Sequence, residues 1–154
     1  MQANDGLVLT LLRELDEITA TDPVRQATDL RVQDRMDAEL ITRVGKWVDA
    51  PGHLIAARLT ELDREWAVER VLELQSSITA LLGLALSRTS GRRWLLLTAA
   101  SAGFLLQHAV QGWCLPLSLH RRLGFRTQRE IDLEINILRQ LRGDYARLPS
   151  ASEP

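Results

Sequence analysis

A single cysteine, Cys114, stands in the 154 residues, so no disulfide can close within the chain. A disulfide scaffold is excluded, and a reducing compartment is the simpler setting. Aromatic residues are few, with four Trp, two Phe and one Tyr, and Gly and Pro number nine and five. A β-sandwich, a collagen-like chain and a low-complexity chain all fit that composition poorly. Lysine is nearly missing: Lys46 is the only one among 19 basic residues. Genome composition alone produces such an arginine bias, and no basic strand interleaved with aromatics accompanies it, so nucleic acid is not an expected partner. The start of the chain has no basic residue before its first apolar run and meets acids within two turns of it, unlike a signal peptide.

Acid is missing from the middle of the chain. No Asp or Glu occurs from Leu74 to Arg129, a stretch that holds Arg88, Arg92, Arg93, Arg121, Arg122, Arg126 and Arg129. Residues 1–66 carry a net charge of −5 and residues 67–154 one of +4. The two arginine clusters flank two uncharged apolar segments, 74–87 and 94–120. Arginines so placed suit helix ends near lipid headgroups or an acidic partner surface, or plain solvated helix ends.

What is present is helical periodicity. Val8, Leu11, Leu12, Leu15 and Ile18 recur at three- and four-residue spacing behind a cap at Asn4 or Asp5. Asp22-Pro23 opens a second helix with the stripe Val32, Met36, Leu40, Val44 and Trp47 or Val48, which Pro51-Gly52 breaks. Leu54, Ile55, Leu59, Leu62 and Trp66 line a third. With no Gly or Pro from His53 to Leu82, one long helix is expected to run on into the apolar region. Pro116 is expected to end the second apolar helix, Leu117 to Phe125 to form a short amphipathic connection, and Thr127-Gln-Arg-Glu130 to be a capping box for the stripe Ile131, Ile135, Leu138 and Leu141, ending at Gly143. The fold class is therefore all-α: amphipathic helices flanking an apolar antiparallel helical hairpin. The segments are 1–66 (amphipathic helices), 67–126 (hairpin), 127–148 (capped helix) and 149–154, a tail with nothing to bury.

Segment 94–120 reaches the ~20 residues that span a bilayer only if Gln107, His108 and Gln111 are tolerated, and segment 74–87 falls short. Thr79 and Gly83 in one helix, and Ala99 and Gly103 in the other, form small-residue ladders that let helix backbones approach.

Leu82-Gly-Leu-Ala-Leu86, Gly112-Trp-Cys-Leu-Pro116 and Leu123-Gly-Phe-Arg-Thr127 resemble, in order and spacing, the small YgaP-like bacterial inner-membrane domains of unknown function, over about residues 78–127. The resemblance implies a two-helix transmembrane hairpin with a Gly-x-Cys-Pro-like signature, located in a bacterial inner membrane with cytoplasmic helical flanks. Membrane lipid and further copies of the chain would be its partners. Leu115 stands where the family pattern places proline after the cysteine, and the Arg88–Arg93 connection is more basic than the family's hairpin tip. At roughly 2.5–3.5 kcal/mol per arginine on insertion scales, that tip stays on the side of synthesis or the hairpin enters part-way.

Little chemistry accompanies these helices. Some YgaP-like proteins are fused to a rhodanese, which makes Cys114 a candidate sulfur carrier, but Arg121 and Arg122, the cations that would favour its thiolate, lie beyond a helix break, and the residues around it read first as a small buried hydrophobe beside Trp113. His108, Cys114 and His120 are six residues apart, which is not ligand spacing, so neither metal nor cofactor is expected. Ser101, His108 and Gln111 share a helix face, where they pair across a helix interface, line a path, or sit satisfied in a core. Glu61, Asp63, Glu65 and Glu69 read as a solvated face. The expectation is a non-enzymatic, self-associating protein with candidate functional residues Cys114, His108 and Gln111. The alternatives are a soluble helical bundle built around the two apolar helices, acting as a cytoplasmic interaction module, and a sulfur-relay accessory protein using Cys114.

Overall fold

The computed structural model describes residues 2–147, which form eight α-helices and two short 3-10 turns with no strand among them. The fold is all-α. The expected tail, 149–154, lies outside the described residues.

Helix α8 (Gln128–Arg142) organises the packed end of the molecule. Its start is fixed as the sequence predicts: the Glu130 amide donates to Thr127 Oγ1 at 3.3 Å, and the Thr127 amide donates to Glu130 Oε2 at 2.9 Å. Ile131, Leu133, Ile135, Ile137 and Leu138 are all buried, which requires neighbours on two sides. Helix α4 (Gly52–Leu62) supplies one through Ile55, Leu59 and Leu62 against Ile131, Ile135 and Leu138. Helices α1 (Gln2–Thr21) and α3 (Leu30–Gly45) supply the other through Leu11, Leu15, Leu40 and Val44 against Leu133 and Ile137. Each such side chain contributes roughly 1.5–3 kcal/mol by leaving water.

Three boundaries differ from expectation. Helix α1 begins at Gln2, ahead of Asn4 and Asp5, whose side chains lie outside the described residues, and its Leu12 faces solvent. The helix capped by Asp22 is a single turn, α2 (Pro23–Gln26); the chain then restarts as α3 with Asp29 accepting from the Arg31 amide at 3.0 Å. The expected long helix from His53 stops at Leu62. The chain turns through 63–67, and α5 (Val68–Thr89) opens with the Val68 amide donating to the Arg126 carbonyl at 2.8 Å. Only by turning there can α4 lie on α8 while α5 leads away from it.

Helix α6 (Leu95–Gln111) runs back along α5 after a tip made by Ser90, Gly91 at φ +102° and the 3-10 turn Arg92–Trp94. Glycine, rather than Pro116, ends α6: Gly112 takes φ +72°, and a Cβ there would overlap the ring of Pro23. Pro116 instead occupies the first turn of α7 (Leu115–Arg122), where its missing N–H costs nothing. At the hairpin base Val68 and Leu72 pack with Val24, Cys114 and Leu117. Outward from Leu72 only Gly83 and Ser101 are buried, so the rest of the chain leaves most of the hairpin exposed. The bundle alternative put the apolar helices at the centre behind the stripes of 7–18, 32–48 and 131–141; α8 holds that place instead.

Among the described residues, no helix is long and apolar enough to cross a membrane. Helix α6 has 17 residues, about 25 Å against ~30 Å of hydrocarbon, and α5 opens with Glu69, Arg70 and Glu73. The expected inner-membrane location is overturned on this ground.

Candidate functional site

Two glutamates one turn apart on α8 collect arginines from distant parts of the chain. Glu130 Oε1 accepts from Arg121 Nη2 at 2.7 Å and from Arg25 Nη1 at 2.5 Å, and Oε2 accepts from Arg121 Nη1 at 2.7 Å. Arg25 continues the chain of charges to Asp37 at 2.9 Å, and the Nε of Arg121 donates to Thr28 Oγ1 at 3.2 Å. Glu134, fully buried, accepts from Arg58 Nη2 at 3.0 Å and from Arg126, while Arg126 also donates to both oxygens of Glu65 at 2.8 and 2.6 Å. Burial opposes ionisation of Glu130, but hydrogen bonds from Arg121 and the Thr127 amide, with the charges of Arg121 and Arg25, outweigh it and hold its pKa below the ordinary carboxylate value. A carboxylate so saturated has no lone pair left over, and its hydrogen bonds tie α2, α7 and α8 together.

The second feature is the hairpin surface. Helices α5 and α6 close on each other at Gly83, where a Cβ would lie 2.9 Å from the Thr98 amide nitrogen and from the Trp94 carbonyl oxygen. Two hydroxyls cross the seam: Thr98 Oγ1 donates to the Ala80 carbonyl at 3.0 Å and Ser101 Oγ to the Ser76 carbonyl at 2.8 Å. One flank of the hairpin is partly occupied, since Gln75, Thr79, Leu97, Ala100 and Phe104 line a small cleft together with Pro116 of α7. The opposite flank is bare. On it Leu74, Ser77, Leu81 and Leu84 of α5 lie beside Leu95, Ala99, Ala102 and Leu106 of α6, each set at alternating three- and four-residue spacing and all exposed.

The residues singled out from sequence do not converge. Cys114 is buried at the hairpin base among Val24, Val68, Leu72 and Leu117, and burial pushes its thiol pKa up, opposite to what a sulfur carrier requires. His108 is half-buried, its Nδ1 has no hydrogen-bond partner, and burial pushes its pKa down against the charges of Glu73 and Asp22. Gln111 is exposed at the end of α6. Thr79 and Gly83 face the seam, whereas Ala99 and Gly103 point outward, with open space around Gly103.

The arginine clusters separate as well. Arg88, Arg92 and Arg93 are exposed at the tip, but Arg121 and Arg126 are buried in the network. Glu65 is not a free solvated acid, since Arg126 claims it. One sequence signal for the network existed: Glu130 and Glu134 share the helix face of Ile131 and Leu138, where a solvated acid would not belong.

No protein-family model matches the chain, and neither a curated protein nor a solved structure is significantly similar to it. The likeness of residues 78–127 to the YgaP-like domains rests on the quoted residues alone.

Proposed function

We propose that this protein is a non-enzymatic interaction module whose α5–α6 hairpin associates with a second copy of the same chain. The observation that carries the reading is the exposure of ten large apolar side chains on the hairpin, from Leu74 to Val110, each between 39% and 75% accessible. At roughly 100 Å² for a fully exposed leucine-sized side chain, the ten present on the order of 600 Å² around the whole hairpin, and the five on the bare flank, Leu74, Leu81, Leu84, Leu95 and Leu106, on the order of 300 Å². The flank's share has the size of an apolar patch that marks interaction sites on monomers, and it supplies part of the ~800 Å² per partner of a standard interface.

A second copy suits this surface better than an unlike partner. Between Leu74 and Ser87, and from Leu95 to Gln111, no charged residue is present to select a complementary charge. On the bare flank, leucines alternate with Ser77, Ala99 and Ala102, so the same surface offers both knobs and the gaps that receive them.

Sedimentation equilibrium across micromolar concentrations tests this. The native chain is expected to show a concentration-dependent mass, and Leu81→Glu, exposed in the monomer, to be monomeric with unchanged helicity. A native chain that stays monomeric throughout, or a Leu81→Glu variant that associates as the native chain does, would overturn the reading.

A further inference from the structure

The bare flank carries charge only at its two ends, and the signs are opposite. Glu73 lies at the base of α5 and Arg88 near its tip, 15 residues apart, which places them about 22 Å apart along the axis and within about 60° around it. Leu74, Ser77, Leu81 and Leu84 lie between them. Arg92 and Arg93 add to the positive tip. Among the described residues none of Glu73, Arg88, Arg92 and Arg93 has an ion-pair partner. Arg70, the cation beside Glu73 at the base, is taken up elsewhere: its guanidinium stacks 4.4 Å from the ring centre of Trp66.

We propose that two hairpins pair antiparallel, bare flank to bare flank, with the Arg88 tip of each copy against Glu73 of the other. This rests on the self-association reading above and gives it an orientation. A two-fold axis lying across the hairpin sets α5 on its own copy and α6 on its own copy. The axis crosses α5 midway between Glu73 and Arg88, at Ala80 and Leu81. In that register Leu84 faces Ser77 of the partner subunit, Leu81 faces Ala80 of the partner subunit, and each Arg88 reaches a Glu73. The hairpin's own hydrogen bonds, Thr98 to Ala80 and Ser101 to Ser76, set Ala80 and Leu81 level with Leu97 and Thr98, so the same axis crosses α6 there. The tip-to-tip alternative gathers six guanidiniums where residues 74–129 supply no carboxylate.

Charge reversal tests the orientation on the full chain. Glu73→Arg alone and Arg88→Glu alone each put like charges in contact in the antiparallel dimer, and each is expected to weaken association roughly tenfold at low salt. Mixing the two variants restores opposite charges at both contacts, so the mixture is expected to associate like the native chain. In a Cys114→Ala background, Leu81→Cys is expected to crosslink to itself through a short bis-maleimide, and Ser90→Cys at the tip is not. If the variants still dimerise but mixing restores nothing and Ser90→Cys crosslinks to itself, the antiparallel orientation is wrong while self-association stands. If the native chain is monomeric, both readings fail together.

Discussion

Glu130 shows how a single residue binds distant segments. Its carboxylate caps its own helix and joins Arg121 to Arg25, a residue 105 positions away in sequence. Glu130→Gln keeps a capping side chain but removes the charge facing two buried guanidiniums, and losing one partner of such a group costs about 3–5 kcal/mol. Chemical denaturation is expected to show a loss of that size. The pH dependence has a definite sign. Because the folded-state pKa of Glu130 lies below its ordinary value of 4.5, its contribution is fully present above 4.5 and is lost as the pH falls below that toward the folded-state value. Glu69 works the other way: burial raises its pKa, so it disfavours the fold once it ionises. Denaturant midpoints followed from pH 6 downward are expected to fall in the native chain and to fall less in Glu130→Gln. Equal slopes would mean that the carboxylate is not the group held ionised. Arg43 is a lesser member of the network: its Nε lies 3.5 Å from Glu134 without a hydrogen bond, and burial, then Arg126, push its pKa down.

At the scale of the element, the hairpin is held by close backbone approach at one glycine. Gly83→Leu forces a side chain into the Thr98 backbone and is expected to destabilise by about 1–3 kcal/mol, the range for overpacking. Gly103→Ala meets open space in mid-helix and is expected to be neutral or to stabilise by about 0.5–1 kcal/mol. Thermal unfolding of the two variants distinguishes them; equal losses would mean that Gly83 does not lie in the seam. The contrast also marks what a sequence can show. Both glycines sat on small-residue ladders, and periodicity could not say which one met the neighbouring helix. The capping box at Thr127 was legible because all its atoms lie within one turn. The end of α4 at Leu62 was not, since no Gly or Pro stands there and the break is made by contacts with Arg126, which lies 61 residues beyond Glu65. Arg121 and Arg126 read as helix-end arginines facing headgroups, an acidic partner or solvent, and are buried instead, for the same reason: their carboxylates arrive from elsewhere in the chain.

For the whole molecule the acid-free stretch 74–129 divides into two uses. Its later arginines, Arg121 and Arg126, turn inward and tie α7 and the loop before α8 to the packed end. Its apolar helices turn outward as a hairpin that the rest of the chain leaves bare on the flank away from α7. The molecule thus has a cohesive end around α8 and an uncovered hairpin, which in isolation lacks the burial that slows local opening. Hydrogen exchange read by mass spectrometry at two protein concentrations tests this division most directly. Amides of α8 are expected to be the slowest at both concentrations, and those of α5 beyond Leu72 and of α6 to be faster in dilute protein and to slow as concentration rises. Hairpin amides as slow as those of α8 in dilute protein, or unchanged by concentration, would contradict a hairpin that is bare alone and covered by its own copy.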